Sequence, residues 1–202
     1  MIVIVDYGVG NIRNVERAMT KLKMEVIVTR DIEVIDQAKA IILPGVGAFR
    51  DAIGNLIKYD LVDCLKRNAA KGTWIIGICL GMQLLYEKSY EDGEYEGLGL
   101  LDGEIVKFDD SELKVPHMGW NHLIKQREDE LGKDLSDQDY VYFVHSYYLQ
   151  SDNKEQIIFT SSYGVDVPAI VRKDNIIGMQ FHPEKSGAVG VKILKNLKEL
   201  IV

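Results

Sequence analysis

The chain has 202 residues, 47% hydrophobic and 27% charged, which gives enough apolar mass for a sizeable core and excludes a disordered or collagen-like polymer. Lys and Arg number 24 against 31 Asp and Glu, a net charge of −7, which disfavours a protein that grips phosphate backbones. Cys64 and Cys79 are too few for a disulfide framework, no apolar run approaches the ~18 residues of a membrane span, and Met1-Ile-Val-Ile-Val5 opens without a basic leader, so a cytoplasmic protein is expected.

Short apolar runs alternate with amphipathic stretches. Residues 2–5 are an apolar run closed by Asp6-Tyr-Gly8, too short for a helix, which predicts a buried strand. Over residues 11–23, Ile12, Val15, Ala18, Met19 and Leu22 recur at three- and four-residue spacing, which predicts a helix with one apolar face. Residues 25–29 and 40–43 read as strands, the latter stopped by Pro44-Gly45. Residues 51–70 read as one helix, 73–78 as another buried strand, and a helix is expected from Cys79 to about Lys88. This βαβα order implies a parallel sheet with helices on both faces.

In the second half, residues 104–108, 123–125, 140–149, 157–162, 169–172 and 176–181 read as strands joined by short turns. The polar stretch 126–139 reads as a solvated loop, and residues 189–202 as a closing amphipathic helix. No linker separates the halves. The expected fold is α/β: one domain over residues 1–202, with a mostly parallel central sheet and antiparallel strand additions.

Thr73-Trp-Ile-Ile-Gly-Ile-Cys-Leu-Gly-Met-Gln83 places Cys79 between Gly77 and Gly81 where a strand gives way to a helix. Such a turn needs small neighbours and presents a nucleophile at the carboxyl edge of a sheet, and a helix N-terminus favours the thiolate. A buried packing cysteine is the competing reading, and Cys64, in a segment without glycines, is read that way. His182 follows the last strand in Phe181-His-Pro-Glu184, so Glu184 can hold the imidazole in its useful tautomer. Leu43-Pro-Gly-Val-Gly-Ala48 also follows a strand, and its glycines allow backbone amides to face an oxyanion. Asp6-Tyr-Gly-Val-Gly-Asn11 lacks the third glycine of a dinucleotide-binding turn.

Together, Gly77-Ile-Cys-Leu-Gly-Met-Gln83 and Phe181-His-Pro-Glu184 resemble the class I (triad) glutamine amidotransferases. Asp6-Tyr-Gly-Val-Gly-Asn11, Pro116-His-Met-Gly-Trp-Asn121 and Tyr142-Phe-Val-His-Ser-Tyr147 are similar to the glutaminase subunits of imidazole glycerol phosphate synthases, and the likeness spans essentially the whole chain. The resemblance implies a triad of Cys79, His182 and Glu184, an oxyanion hole involving Gly45, Val46 and the amide of Leu80, and glutamine contacts from Gly47, Gln83, His145, Ser146 and Tyr147. It implies hydrolysis of glutamine through a thioester, with ammonia passed to a (β/α)₈-barrel cyclase subunit in histidine biosynthesis, and no cofactor or metal.

The whole length is taken up by such a glutaminase, so a partner chain is expected to receive the ammonia. Its docking face is expected to include Asn11, Met118, Trp120 and Asn121, the last three in a loop. A flip of the peptide joining Gly45 and Val46, cheap beside glycines, would make turnover partner-dependent. Alternatives are a triad glutaminase feeding a different acceptor and a non-catalytic scaffold of the same fold. A metal hydrolase finds no HExxH or CxxC support.

Overall fold

The computed structural model describes residues 1–201. The first half follows the expected alternation: β1 (Ile2–Val5), α1 (Ile12–Lys21), β2 (Val26–Thr29), a single turn α2 (Ile32–Ile35), β3 (Ala40–Gly45), α3 (Phe49–Lys58), α4 (Leu61–Ala70), β4 (Trp74–Cys79) and α5 (Leu80–Gln83). The second half contains β5 (Lys88–Ser89), β6 (Tyr95–Glu96), β7 (Glu104–Lys107), β8 (His117–His122), β9 (Ile124–Lys125), β10 (Tyr140–His145), β11 (Tyr147–Gln150), β12 (Ile157–Tyr163), β13 (Val165–Lys173), β14 (Ile176–Met179) and α6 (Gly187–Ile201).

An eight-stranded sheet runs in the order β2-β1-β3-β4-β14-β13-β12-β9. Its first five strands are parallel, and β13, β12 and β9 extend it antiparallel, as the sequence predicts. Successive residues of each inner strand feed opposite cores. Ile41 and Leu43 join Phe49, Leu56 and Leu65 on the α3/α4 side. Ala40 and Ile42 join Val15, Met19, Phe181 and Leu194 on the α1/α6 side. The parallel strands therefore deliver Tyr7, Gly45, Cys79 and Gln180 to one carboxyl edge, where α/β sheets bind ligands.

Several expected elements differ. The helix over 51–70 is two helices, because Asp60 adopts a left-handed φ of 57° that ends the first and redirects the second. The helix beginning at Cys79 stops at Gln83 rather than near Lys88. Its next carbonyls are taken by a crossing loop: Leu84 O accepts from Leu98 N at 2.8 Å, Leu85 O from Leu100 N at 2.8 Å, and Tyr86 O from Gly99 N at 3.0 Å. The strand over 140–149 breaks at Ser146, with β10 pairing to β8 and β11 to β7 in two small separate sheets. The segment 118–121, expected as a loop, lies inside β8.

The stretch 126–139 is not uniformly solvated. Leu131 and Leu135 are buried, and the Asp129 carboxylate receives Arg127 at 3.0 Å and Arg172 at 3.1 Å. The last helix begins two residues early, at Gly187, and Val202 lies outside the described residues. Among the described residues no helix is long and apolar enough to cross a membrane.

Candidate active site

The turn at Cys79 is backbone-strained. Cys79 has φ 55° and ψ −112°, a conformation costing on the order of 1–3 kcal/mol for a residue with a Cβ. Close packing enforces it: a Cβ on Gly81 would stand 1.7 Å from Leu43 O, and one on Gly77 would stand 2.5 Å from Gly81 O. The small neighbours expected from the sequence are thus required for α5 to cross directly over β3. The Cys79 side chain is held in the wall of a pocket, its sulfur 3.9 Å from Val144 O and 3.9 Å from Gln180 Nε2.

His182 and Glu184 lie just beyond β14, and their side chains are each 2% exposed. Glu184 Oε1 is 2.9 Å from His182 Nδ1. Pro183 opens a short 3-10 turn over Pro183–Lys185, which folds Glu184 back onto the ring. Ser186 Oγ donates to His182 O at 2.6 Å and accepts from Tyr142 N at 3.0 Å, tying the turn to β10. His182 Nε2 is buried without a hydrogen-bond partner in this resting arrangement. Burial pushes the imidazole down, but the adjacent Cys79 sulfur and Glu184 carboxylate outweigh it and raise it to about 9. The three side chains expected to act together are therefore brought together.

The pocket beside Cys79 has a volume of about 290 Å³ and is lined by Val46, Gly47, Leu80, Gln83, His145, Ser146 and Tyr147 among others. Every residue expected to contact glutamine is in this wall. A larger hollow of about 800 Å³, beside Glu128 and Glu130, holds none of them. Gln83 Nε2 donates to Tyr147 O at 2.9 Å and to Gln180 Oε1 at 3.0 Å. His145 Nδ1 also donates to Tyr147 O, at 2.8 Å. The break between β10 and β11 falls at the pocket: Val144 and His145 end one ladder, Tyr147 begins another, and Ser146 between them joins all three in the pocket wall.

Gly45 pairs in register with Cys79. The space at its Cα is closed, because a Cβ would meet Gly81 N at 2.8 Å, Tyr7 Oη at 2.8 Å and Leu80 Cβ at 2.9 Å. A side chain at Gly45 would therefore disturb the nucleophile's turn as well as the peptide that follows. Tyr7 is fully buried, and its hydroxyl donates to Pro44 O from below the strand. The Asp6–Asn11 segment thus supports the Pro44-Gly45 strand.

Two polar residues of the site, one lining the pocket and one buried against the Cys79 sulfur, escaped the sequence reading. Glu91 lines the pocket and accepts from Phe49 N, at the start of α3, at 2.8 Å. Burial raises its carboxyl above the usual range, the Phe49 contact partly offsetting it. In the sequence it is one of several acids in Tyr90-Glu-Asp-Gly-Glu-Tyr95, with no spacing to distinguish it from solvated charge. Gln180, fully buried, precedes Phe181-His-Pro-Glu184 and resembles any polar strand residue.

Of the residues expected at a docking face, Met118 is 61% and Trp120 57% exposed. Trp120 lies across from Tyr142 in the β8–β10 pair, with ring centroids 6.0 Å apart. Asn11 caps α1 without a side-chain hydrogen bond. Asn121 is turned inward, donating to Ser162 O at 2.9 Å. Cys64 is buried in α4 with its sulfur 3.8 Å from Asp36 Oδ1, and burial and that carboxylate push its thiol up, as suits a packing residue.

The sequence profile of the class-I glutamine amidotransferases matches residues 3–199. The imidazole glycerol phosphate synthase subunit HisH of Carboxydothermus hydrogenoformans is 52% identical over 202 residues, covering 100% of both chains. The same subunit from Lactococcus lactis is 50% identical over 200 residues, covering 99% of this chain and 98% of that one. A solved glutamine amidotransferase superposes with a TM-score of 0.78 at 20% identity, covering 100% of this chain and 99% of the other. The chain belongs to the class-I glutamine amidotransferase family.

Proposed function

We propose that this chain is the glutaminase subunit of a cytoplasmic imidazole glycerol phosphate synthase, with residues 1–202 acting as one amidotransferase domain and Cys79, His182 and Glu184 as its catalytic triad. The observation that carries the reading is the strained Cys79 beside an imidazole that is itself held at 2.9 Å by a buried carboxylate. Full-length relatives named as HisH supply the pathway.

His182 takes the thiol proton and Glu184 stabilises the imidazolium, so that the sulfur attacks the side-chain carbonyl carbon of glutamine. The four-residue helix α5 carries little macrodipole, so activation rests on His182 rather than on a helix end. The carbonyl oxygen gains negative charge, which the amides of Val46 and Leu80 stabilise, with Gly45 setting the direction of the first. His182 then gives its proton to the nitrogen, the C–N bond breaks, and ammonia leaves behind a γ-glutamyl thioester. Water attacks the thioester with His182 as base, releasing glutamate and restoring the thiol.

Gln83, His145, Ser146 and Tyr147 position the amino-acid end of the substrate, with Gly47 leaving room beside it. Glu91, whose carboxyl lines the pocket, is suited to receive the α-ammonium group. Ammonia protonates in water and loses its nucleophilicity, so it is delivered to a cyclase subunit seated on the face carrying Met118 and Trp120, with Asn11 and Asn121 at its margin. Exposed aromatic anchors of this kind fit an interface. An electrophilic glutamine analogue tests the site: it should label Cys79 and spare Cys64, mapped by peptide mass. Labelling elsewhere, or none, would remove Cys79 from the mechanism.

A further inference from the structure

Behind the pocket wall, two neutral histidines form a directional hydrogen-bond chain. His145 Nδ1 lies 2.8 Å from Tyr147 O, a carbonyl that can only accept, so this nitrogen carries the proton. Its Nε2 therefore bears a lone pair and must accept from His117 Nδ1 at 3.0 Å. The second nitrogen of His117 must accept in turn, and the Asn121 amide donates to it at 3.2 Å. Asn121 has its orientation set separately, donating to Ser162 O at 2.9 Å and accepting from His122 N at 2.9 Å. The Tyr147 carbonyl at one end and the Asn121 amide at the other thus agree with a single direction of donation, in which His117 Nδ1–H holds the lone pair of His145 Nε2.

Burial depresses His117 to about 4. Burial likewise depresses His145 to about 3, with the neighbouring imidazoles adding to it. Both rings are accordingly neutral at physiological pH. His117 is also clamped in plane, stacked on Phe143 at 4.6 Å and on Tyr163 at 4.1 Å. The chain continues past Tyr147 O through Gln83 to Gln180, whose amide reaches the Cys79 sulfur.

We propose that His117, which does not line the pocket, is a positioning residue for it: its Nδ1–H, 3.0 Å from His145 Nε2, fixes the tautomer of His145 and through it the Tyr147 carbonyl and the Gln83–Gln180 amides that end at the Cys79 sulfur. The proposal rests on the reading that this pocket takes glutamine. A donor lost at His117 orphans the buried lone pair of His145 Nε2, so the Nδ1–H tautomer is held by the Tyr147 carbonyl alone and the opposite tautomer becomes less costly. With the opposite tautomer, His145 Nδ1 would present a lone pair to Tyr147 O, and the two would repel. Residues 145–147 would then shift against the substrate.

Two variants separate hydrogen bonding from packing. His117→Phe keeps the aromatic stack and loses the donor, whereas His117→Asn keeps an amide donor near the Nδ1 position and loses the stack. With the full chain saturated by the cyclase, His117→Phe should raise the glutamine KM about tenfold, the usual scale for an orphaned buried acceptor. It should leave iodoacetamide alkylation of Cys79 within about twofold, and His117→Asn should recover most of the KM. In the wild-type chain, nitrogen-15 NMR should find both His117 and His145 in the Nδ1–H form.

An Nε2–H form at either ring in the wild type, or an unchanged KM in His117→Phe, would overturn this proposal while leaving the glutaminase reading intact. Asn failing as fully as Phe would assign His117 to packing alone. A wild-type chain that no glutamine-analogue electrophile labels at Cys79 would instead remove the proposed function, and this inference with it.

Discussion

Glu184→Gln removes one negative charge from a pair whose side chains are both 2% exposed, while nearly preserving shape. The amide oxygen can still accept from His182 Nδ1 at the position where Glu184 Oε1 stands 2.9 Å away. What is lost is the carboxylate's charge, one of the two influences that raise His182 to about 9 against its burial. An opposite charge at this range shifts a titrating group by roughly one to three pH units, or about 1.4–4 kcal/mol. The imidazole midpoint in the variant should therefore lie between about 6 and 8. Near neutral pH the imidazolium form of His182 then loses ground to the neutral ring. Glutaminase kcat should fall roughly tenfold to a thousandfold. The direct assay is an NMR titration of His182 alongside the pH profile of Cys79 alkylation, for wild type and variant. An imidazole midpoint that stays near that of the wild type would refute the claim that Glu184 sustains the charge on His182.

Gly81→Ala should destabilise the chain by about 3 kcal/mol or more, because its Cβ would sit 1.7 Å from Leu43 O. Gly54→Ala, inside α3 with nothing within 4 Å of the new carbon, should stabilise it by about 0.5–1 kcal/mol; thermal denaturation of the two variants compares them directly. Tyr7→Phe should cost about 1–3 kcal/mol by orphaning Pro44 O, measured by denaturant unfolding, and it should slow glutamine turnover because the strand it supports leads to Gly45. His117 and His145 are depressed to about 4 and about 3. Their contribution to stability is therefore present above the unfolded histidine value of about 6.5 and lost as pH falls toward the folded values. Unfolding free energy between about pH 6 and pH 4 should decline with a contribution of roughly 1.4 kcal/mol per pH unit from each ring, and His117→Phe should remove one share of that slope.

The parts of the site that depend on local backbone geometry were legible in the sequence. A cysteine between two glycines at the end of an apolar run reads as a tight strand-to-helix turn, since only small neighbours permit it, and Gly77 and Gly81 are indeed where no Cβ fits. His182 and Glu184 share a short turn stiffened by Pro183, so their contact is a local matter. Residues that matter through distant contacts left no such trace. Glu91 reaches the pocket only because its acidic hairpin folds onto the start of α3, and Tyr7 has its role only because Pro44 O lies above it.

The element boundaries failed for similar reasons. Nothing local ends the helix after Gln83; the carbonyls of Leu84, Leu85 and Tyr86 are claimed by residues 98–100 across the fold. The apolar alternation through residues 140–149 is continuous, but β8 and β7 compete for its two halves and the chain divides at Ser146. β13 begins at Val165, earlier than expected, despite Pro168. The ladder to β14 covers only Ile170–Lys173, so the proline requires no donor on that side.

The most direct test of the whole account is glutamate release from glutamine by the chain alone, with the histidine-pathway cyclase, and with the cyclase plus its phosphoribulosyl-formimino ligand, using Cys79→Ala as the blank. Strong release in the complete mixture, low release from the chain alone and none from the blank is the predicted pattern. Release by Cys79→Ala equal to wild type, or no release under any condition, would contradict it.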